Sequence, residues 1–406
     1  MISVAEARET ILSRIHTLPA ERVYLEDALG RYLAEDIIAN MDIPLWDNSA
    51  MDGYAVRVAD VTKAPTRLPV DQEIPAGAHP WALAQGSAAR IMTGAALPEG
   101  SDAVVIREDT EEHGSAVVIL RLPQKGDHIR FRGEDIKKGA RVLTQGSLVG
   151  PAQIGVLASL RRARTLCHQR PLVAILSTGD EVVDLDEELS PGKIPSSNSY
   201  TLVSLVRELG ATPLYLGIAR DTHAEIRDNL ARAQRADLIL TSGGVSMGDY
   251  DLVKEVMTSG QNTMAFWQVE MKPGKPLAFG SIGDIPIIGL PGNPASAMIS
   301  FYQFARPAIL KMLGARDILL PRVKARLKTP LRKKPDRPHY IRGMLESGQE
   351  LSARISGPQG SGILTTMAHA NCFIVIPKEK IVVEMNELVD CEVFGPLTAE
   401  NSALIT

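Results

Sequence analysis

The stretch Ala236-Asp-Leu-Ile-Leu-Thr-Ser-Gly-Gly-Val-Ser-Met-Gly-Asp-Tyr-Asp251 decides the fold. Its opening, 236–240, is a short apolar run of the kind that fills a buried parallel strand. A strand that empties into a glycine-rich turn and then a helix is where an α/β fold holds an anion: glycines admit close backbone approach, and free N–H groups at the helix start face the ligand. The turn holds no lysine but two carboxylates, Asp249 and Asp251. These would repel a bare phosphate, so a divalent cation between them and the ligand is the simplest remedy. The plainer alternative is that Asp249 only caps the next helix.

Outward from this stretch, strands and helices alternate. Strands are expected at 172–176, 214–218, 238–240 and 285–289, and helices at 199–209, 223–234, 250–257 and 295–313. That alternation predicts βαβ units and a mostly parallel sheet covered on both faces, with ligands at the carboxyl ends of its strands. Before it, Ser3 and Glu6 form a capping-box pair ahead of a helical stripe through Ile15. A strand near Val23 and a helix at 28–33 follow, and a further helix is expected within 146–159, with Pro151 in its first turn. Between them, short β-like runs broken by Pro and Gly (53–58, 88–92, 103–107, 116–120) read as an inserted β-rich unit. After Pro321 the helical period disappears, and runs at 323–327, 340–345, 373–376 and 388–394 predict a small β-barrel or sandwich. The organisation is therefore multidomain α/β plus β. A discontinuous N-terminal domain (1–46 and 140–168) is interrupted by the insertion (47–139), then come the α/β domain (169–320) and a C-terminal β unit (321–406). The basic stretch Arg332-Lys-Lys-Pro-Asp-Arg-Pro338 reads as a solvated loop.

Composition bounds the function. The 406 residues carry 44 Lys plus Arg against 48 Asp plus Glu, and the net charge of −4 provides no field for nucleic acid or acidic membranes. Three scattered cysteines fit a reducing compartment and argue against a disulfide framework. With no apolar signal region and no run of membrane-spanning length, the expected location is cytoplasmic. There is no GxxxxGK[ST], no GxGxxG after a strand and no nucleophile elbow, which removes support for P-loop, dinucleotide and Ser-His-Asp chemistry. The eight histidines have no ligand spacing; His113 and His128 read as surface residues.

The expected strand ends carry polar sequence: Ser177-Thr-Gly-Asp-Glu181, Gly217-Ile-Ala-Arg-Asp221, the glycine turn, Lys272-Pro-Gly-Lys-Pro276 and Gly289-Leu-Pro-Gly-Asn-Pro294. Singly each has a plain reading: Thr178-Gly-Asp as a turn, Asp221 as a helix cap, Asn293-Pro as a helix start. Together, acids at three strand ends and two lysines beside prolines describe a site for a metal-bound polyanion. Lysine, a compact point charge, suits a phosphate or tetrahedral oxyanion.

These residues, with Asp47-Asn-Ser-Ala-Met-Asp-Gly-Tyr-Ala55, Arg90-Ile-Met-Thr-Gly-Ala95 and Arg132-Gly-Glu-Asp135, resemble the molybdopterin molybdenumtransferases of bacterial molybdenum cofactor synthesis, which are similar to the gephyrin E domain. The resemblance covers essentially the whole chain. It implies a C-terminal β-barrel, a homodimer with sites shared between protomers, and conversion of adenylylated molybdopterin and molybdate to molybdenum cofactor with release of AMP, assisted by Mg²⁺. Carried over by motif, Glu181, Asp221 and Asp251 would surround metal and nucleotide, and Lys272 and Lys275 would attract molybdate or pyrophosphate. Asp52, Thr93, Arg132 and Asp135 would close the site from the other protomer. Ser177, Thr178, Gly243, Gly244, Ser246, Asp249, Pro291 and Pro294 would line the substrate cleft, and Ser361 would reach it from the barrel. Hand-off partners implied by the resemblance are an adenylyltransferase and cofactor-accepting proteins. Two rivals share parts of the pattern. A molybdopterin adenylyltransferase has the α/β core, but the flanking domains and Arg132-Gly-Glu-Asp135 discriminate against it. A non-enzymatic, gephyrin-like scaffold would be expected to bring linkers or partner modules.

Overall fold

The strand expected after Arg170 is nearly all buried, and its side chains divide between two cores. In this computed structural model, which describes residues 1–244, 257 and 262–399, the strand spans Leu172–Thr178. Val173 and Ile175 enter one apolar cluster, Ala174 and Leu176 the other. Leu238 and Leu240 against Ile239 repeat the division in the strand Leu238–Ser242. A strand buried on both faces has no polar alternation, so its sequence is a continuous apolar run. The sheet has the order Thr212–Ala219, Leu172–Thr178, Leu238–Ser242, Ile285–Leu290, Pro276–Ile282, Thr263–Gln268. Its first four strands are parallel and its last two antiparallel. Those last two lay outside the sequence expectation, because the polar Lys272–Pro276 motif that joins them obscures the apolar runs on either side.

Helices Ser197–Glu208 and His223–Arg232 match the expectation within a few residues. The expected helix at 250–257 lies outside the described residues except for Met257. The single helix expected over 295–313 is instead Pro294–Ser300, a π-helical turn Phe301–Ala305, and Arg306–Met312. Pro307 has no N–H to donate to the preceding turn, and a widened turn accommodates that loss.

Near the N-terminus, Ser3 and Glu6 do form a capping box on the helix Val4–Ser13. Ala7, Ile11 and Ile15 join the α/β core, and Arg8 donates to the Gln303 carbonyl and side-chain oxygens at 3.3 and 2.6 Å. The expected pairing of the first segment with 140–168 begins only after this helix. Ala20–Tyr24 pairs with Arg164–His168, and Ile37–Ile38 with Arg141–Leu143. The helix expected at 28–33 is absent: a short 3-10 turn covers Leu25–Asp27, Gly30 takes φ +74°, and Tyr32 and Leu33 bridge to Leu148 and Cys167. Pro151–Ser159 is helical as expected.

The inserted β-rich region forms a six-stranded sheet that includes the expected runs Gly53–Val56, Ala88–Ile91, Ala103–Ile106 and Ala116–Ile119. Its longest strand, Thr66–Ile74, was missed because Pro69 and three charged side chains break its apolar pattern. At the C-terminus, Ser352–Ile355, Arg322–Leu327, Leu388–Val393, Cys372–Ile376 and His339–Ser347 pair in turn, and the last pairs back to the first. The C-terminal unit is therefore a closed five-stranded barrel rather than a sandwich. The basic stretch beside it is only partly the solvated loop expected: Arg332, at the end of a short strand, and Lys334 are exposed, but Lys333 is buried. Tyr302 of the α/β region packs edge-on against Phe373 and tilted against Phe394 of the C-terminal unit, ring centroids 5.6 and 4.8 Å away. No helix among the described residues is long and apolar enough to cross a membrane.

Candidate functional site

The parallel register sets the site. Thr178 lies opposite Ala219, Ser177 opposite Ser242, and Ser242 opposite Leu290, so four strands end at one level. The residues that follow each end face a common cleft of about 500 Å³. Its walls include Ser177, Thr178, Glu181, Asp221, Gly243, Gly244, Pro291 and Pro294, eight of the residues singled out from sequence. Gly243 has φ +94°, and a Cβ there would fall 2.7 Å from the Thr178 carbonyl oxygen, so the turn requires glycine.

The floor is polar and cross-linked. Ser177 Oγ lies 2.7 Å from Ser199 Oγ, which is 2.6 Å from Ser196 Oγ. Asn198 Nδ2 donates to Ser242 Oγ and to the Gly292 carbonyl, both at 2.8 Å, and so ties two strand ends to the start of helix Ser197–Glu208. That helix and Pro294–Ser300 both begin in the cleft, and among the described residues neither has a side-chain cap on its first N–H groups. Among the described residues, Thr178 Oγ1 is buried with no hydrogen-bond partner. Donors at the start of helix Ser197–Glu208 and a hydroxyl without a partner suit an anionic ligand, whereas Pro294 has no N–H and the Ala295 N–H is taken by the Ser361 carbonyl. Sequence reading missed Ser196, Asn198 and Ser199. Their signal was present in Pro195-Ser-Ser-Asn-Ser199, a cap-type cluster ahead of a helical stripe.

On one side the cleft is acidic. The Asp221 N–H donates to Asp180 Oδ1 at 3.1 Å. Burial, with the nearby charges of Asp180 and Glu181, raises the Asp221 carboxyl above the usual carboxylate range. Thr222, not Asp221, caps the next helix by accepting from the Glu225 N–H at 3.3 Å, which removes the cap reading of Asp221. Among the described residues no three Asp, Glu, His or Cys side chains stand together as a complete metal site. Magnesium needs fewer: one or two carboxylates suffice when substrate phosphates and water complete its shell. The crowded charges of Glu181 and Asp221 fit that demand. Ser246, Asp249 and Asp251 lie outside the described residues.

Lys272 is exposed and Lys275 half-buried; neither lines the cleft, but Pro276, next in the chain, does. Asp52, Thr93, Arg132 and Asp135 do not line it either. Asp52 Oδ1 accepts from the Thr93 N–H and hydroxyl, both at 2.7 Å, and these bonds, the backbone one foremost, hold its carboxyl below the usual range. Arg132 Nε donates to Asp42 at 2.6 Å, and its N–H to Asp47 at 2.7 Å. The Asp135 N–H donates to the Ile43 carbonyl at 3.1 Å. This second polar group sits on the insertion and its junction. Ser361 touches the cleft's frame through its backbone, its carbonyl accepting the Ala295 N–H at 3.1 Å.

Fold and site define a multidomain α/β protein with a polar cleft at a strand-end edge, flanked by a β-rich insertion and a closed barrel. Residues 2–160 match the family described as MoeA N-terminal region (domain I and II), 174–311 the probable molybdopterin binding domain, and 324–394 the MoeA C-terminal region (domain IV). The chain is 38% identical over 406 residues to a molybdopterin molybdenumtransferase of Haemophilus influenzae, covering 98% of this chain and 100% of that one. It is 36% identical to that of Bacillus subtilis, covering 88% and 86%. A molybdopterin biosynthesis moeA protein from Pyrococcus horikoshii OT3 superposes with a TM-score of 0.84 at 30% identity, covering 97% of this chain and 100% of that chain. The chain belongs to the molybdopterin molybdenumtransferase family.

Proposed function

We propose that the protein is a transferase that joins molybdate to adenylylated molybdopterin, giving molybdenum cofactor and releasing AMP. The observation that carries this reading is the strand-end cleft with the uncapped start of helix Ser197–Glu208 and the Thr178 hydroxyl that has no partner among the described residues, within the segment similar to molybdopterin-binding domains. The backbone N–H groups at Ser197 and Gly244 would hold the phosphates, and Thr178 Oγ1 would donate to one of their oxygens, while the Gly243 N–H is spent on the Leu290 carbonyl at 3.1 Å. Glu181 and Asp221, with Asp251, would hold Mg²⁺, which when bound neutralises charge on the phosphoanhydride. Lys272 and Lys275 would seat molybdate against the repulsion of the pterin's own phosphates.

The protein would act as a homodimer, with Asp52, Thr93, Arg132 and Asp135 closing the cleft of the second copy. Supporting this, Leu45, Trp46, Met51 and Phe131 leave large apolar side chains exposed on the segments that carry Asp52 and Arg132. The test is AMP release from adenylylated molybdopterin by purified protein. Release that requires molybdate is the expected result. Release indifferent to molybdate, or adenylylation of free molybdopterin by ATP instead, would overturn the reading.

A further inference from the structure

The basic loop that precedes strand His339–Ser347 is absorbed by none of the roles above, yet it is tied by several hydrogen bonds to the chain at the lysine turn. Lys333 is 7% exposed, and its ammonium donates to three carbonyls, those of Lys334, Arg337 and Lys378, at 3.2, 3.1 and 2.9 Å. Three donors meet three acceptors, so the buried charge is satisfied without a carboxylate. Asp336 accepts from the Arg337 N–H at 3.0 Å and lies 3.1 Å from His339 Nε2. Burial works against its charge, but these bonds and the Lys272 ammonium hold the carboxyl well below its ordinary value.

The loop so shaped grips the chain at Lys272. The Lys272 N–H donates to the Pro338 carbonyl at 3.0 Å, and its carbonyl accepts the Tyr340 N–H at 2.8 Å. Arg337 Nη1 donates to the Met271 carbonyl at 3.4 Å, and Lys378 pairs with Glu270. On the other side Gly274 is pressed on the helix Pro294–Ser300, where a Cβ would fall 2.7 Å from Ser300 Oγ. The turn that carries Lys272 and Lys275 is thus held between the barrel loop and a helix that begins in the cleft.

We infer that the barrel loop 333–339 is a positioning latch for the oxyanion-binding lysines, with Lys333 and Asp336 acting through Lys272. This rests on the proposed role of those lysines. Its substrate side is a tetrahedral dianion such as molybdate, and its consequence is that the barrel sets oxyanion affinity without touching the oxyanion.

Charge and position predict opposite signs, which makes the latch testable in the full-length protein. Lys333→Met removes a positive charge and Asp336→Asn a negative one. Acting through the electrostatic field alone, the first would weaken molybdate binding and the second would tighten it. Acting through position, both raise the half-saturating molybdate concentration, by about threefold or more, because small misplacements of a binding group are costly. The turnover rate at saturating molybdate is expected to stay within about twofold of the parent's. Opposite shifts in the two variants, or unchanged half-saturation in both, overturn the latch. Val389→Ala, in the barrel core away from the loop, controls for general destabilisation and is expected to leave half-saturation unchanged. Lys272→Ala separates the premise: if molybdate dependence is unaltered there, the lysine reading fails and not merely the latch.

Discussion

Asn198 gives the sharpest test of the cleft, because one side chain joins two strand ends and was not singled out by any motif. Its Nδ2 donates at 2.8 Å to both Ser242 Oγ and the Gly292 carbonyl. Each such bond contributes about 0.5–1.5 kcal/mol net, so Asn198→Ala should cost about 1–3 kcal/mol. For a body of 150–250 residues a loss near 2 kcal/mol lowers the melting temperature by about 4–8 °C. Asn198→Asp keeps the size but sets an oxygen against the Gly292 carbonyl, and it adds charge to a cleft that already holds Glu181 and Asp221. A unit charge 4–8 Å from a bound anion is worth about 2–4 kcal/mol at an effective dielectric near 20. Allowing for screening by salt, Asn198→Asp should therefore lose about tenfold or more in kcat/KM for adenylylated molybdopterin beyond the loss in Asn198→Ala. Thermal melts and AMP release against pterin concentration measure the two effects. If the alanine and aspartate variants have the same KM, the cleft does not seat an anion beside Asn198. If Asn198→Ala melts with the parent, the cross-link adds nothing to stability.

Three further outcomes follow from the same geometry. Gly243→Ala forces a Cβ to 2.7 Å from the Thr178 carbonyl at positive φ, which should cost about 2–4 kcal/mol; a variant that melts and turns over like the parent would refute the turn geometry. The Asp221 carboxyl is raised by burial, then by neighbouring acids, so the folded state binds its proton more tightly than the unfolded chain, whose carboxylates titrate near ~3.9. Stability is therefore lost as pH climbs through and above that value, and Asp221→Asn should melt higher than the parent at pH 7, with the gain shrinking toward pH 4, while activity falls; a lower melting temperature at pH 7 would contradict the charge crowding. Finally, inactive Asp52→Ala and Glu181→Ala dimers, mixed under conditions where mass spectrometry shows exchange, should recover about a quarter of parental activity, because half the dimers are hybrids with one intact site each; no recovery would refute independent sites shared between protomers.

The strands of the α/β sheet were legible because burial on both faces removes polar alternation, and runs such as 172–176 and 238–240 are apolar for that reason. The capping box at Ser3 and Glu6 was legible because helix ends are satisfied locally. Eight cleft residues were legible because chemistry at strand ends clusters in short motifs. What sequence left open depends on partners distant in the chain. Asp221 is freed from capping because Thr222 takes that bond, and cap signals one residue apart read alike. The antiparallel edge pair and the barrel's closure are set by pairing between segments, which no local period encodes. Lys333 reads as a solvated lysine until Lys378, 45 residues on, brings a carbonyl to its ammonium. Composition and local periodicity thus determined the four parallel strands and the chemistry at their ends. Only the tertiary structure decided which polar groups are satisfied and which remain for a ligand, because hydrogen-bond partners are chosen by proximity in space rather than along the chain.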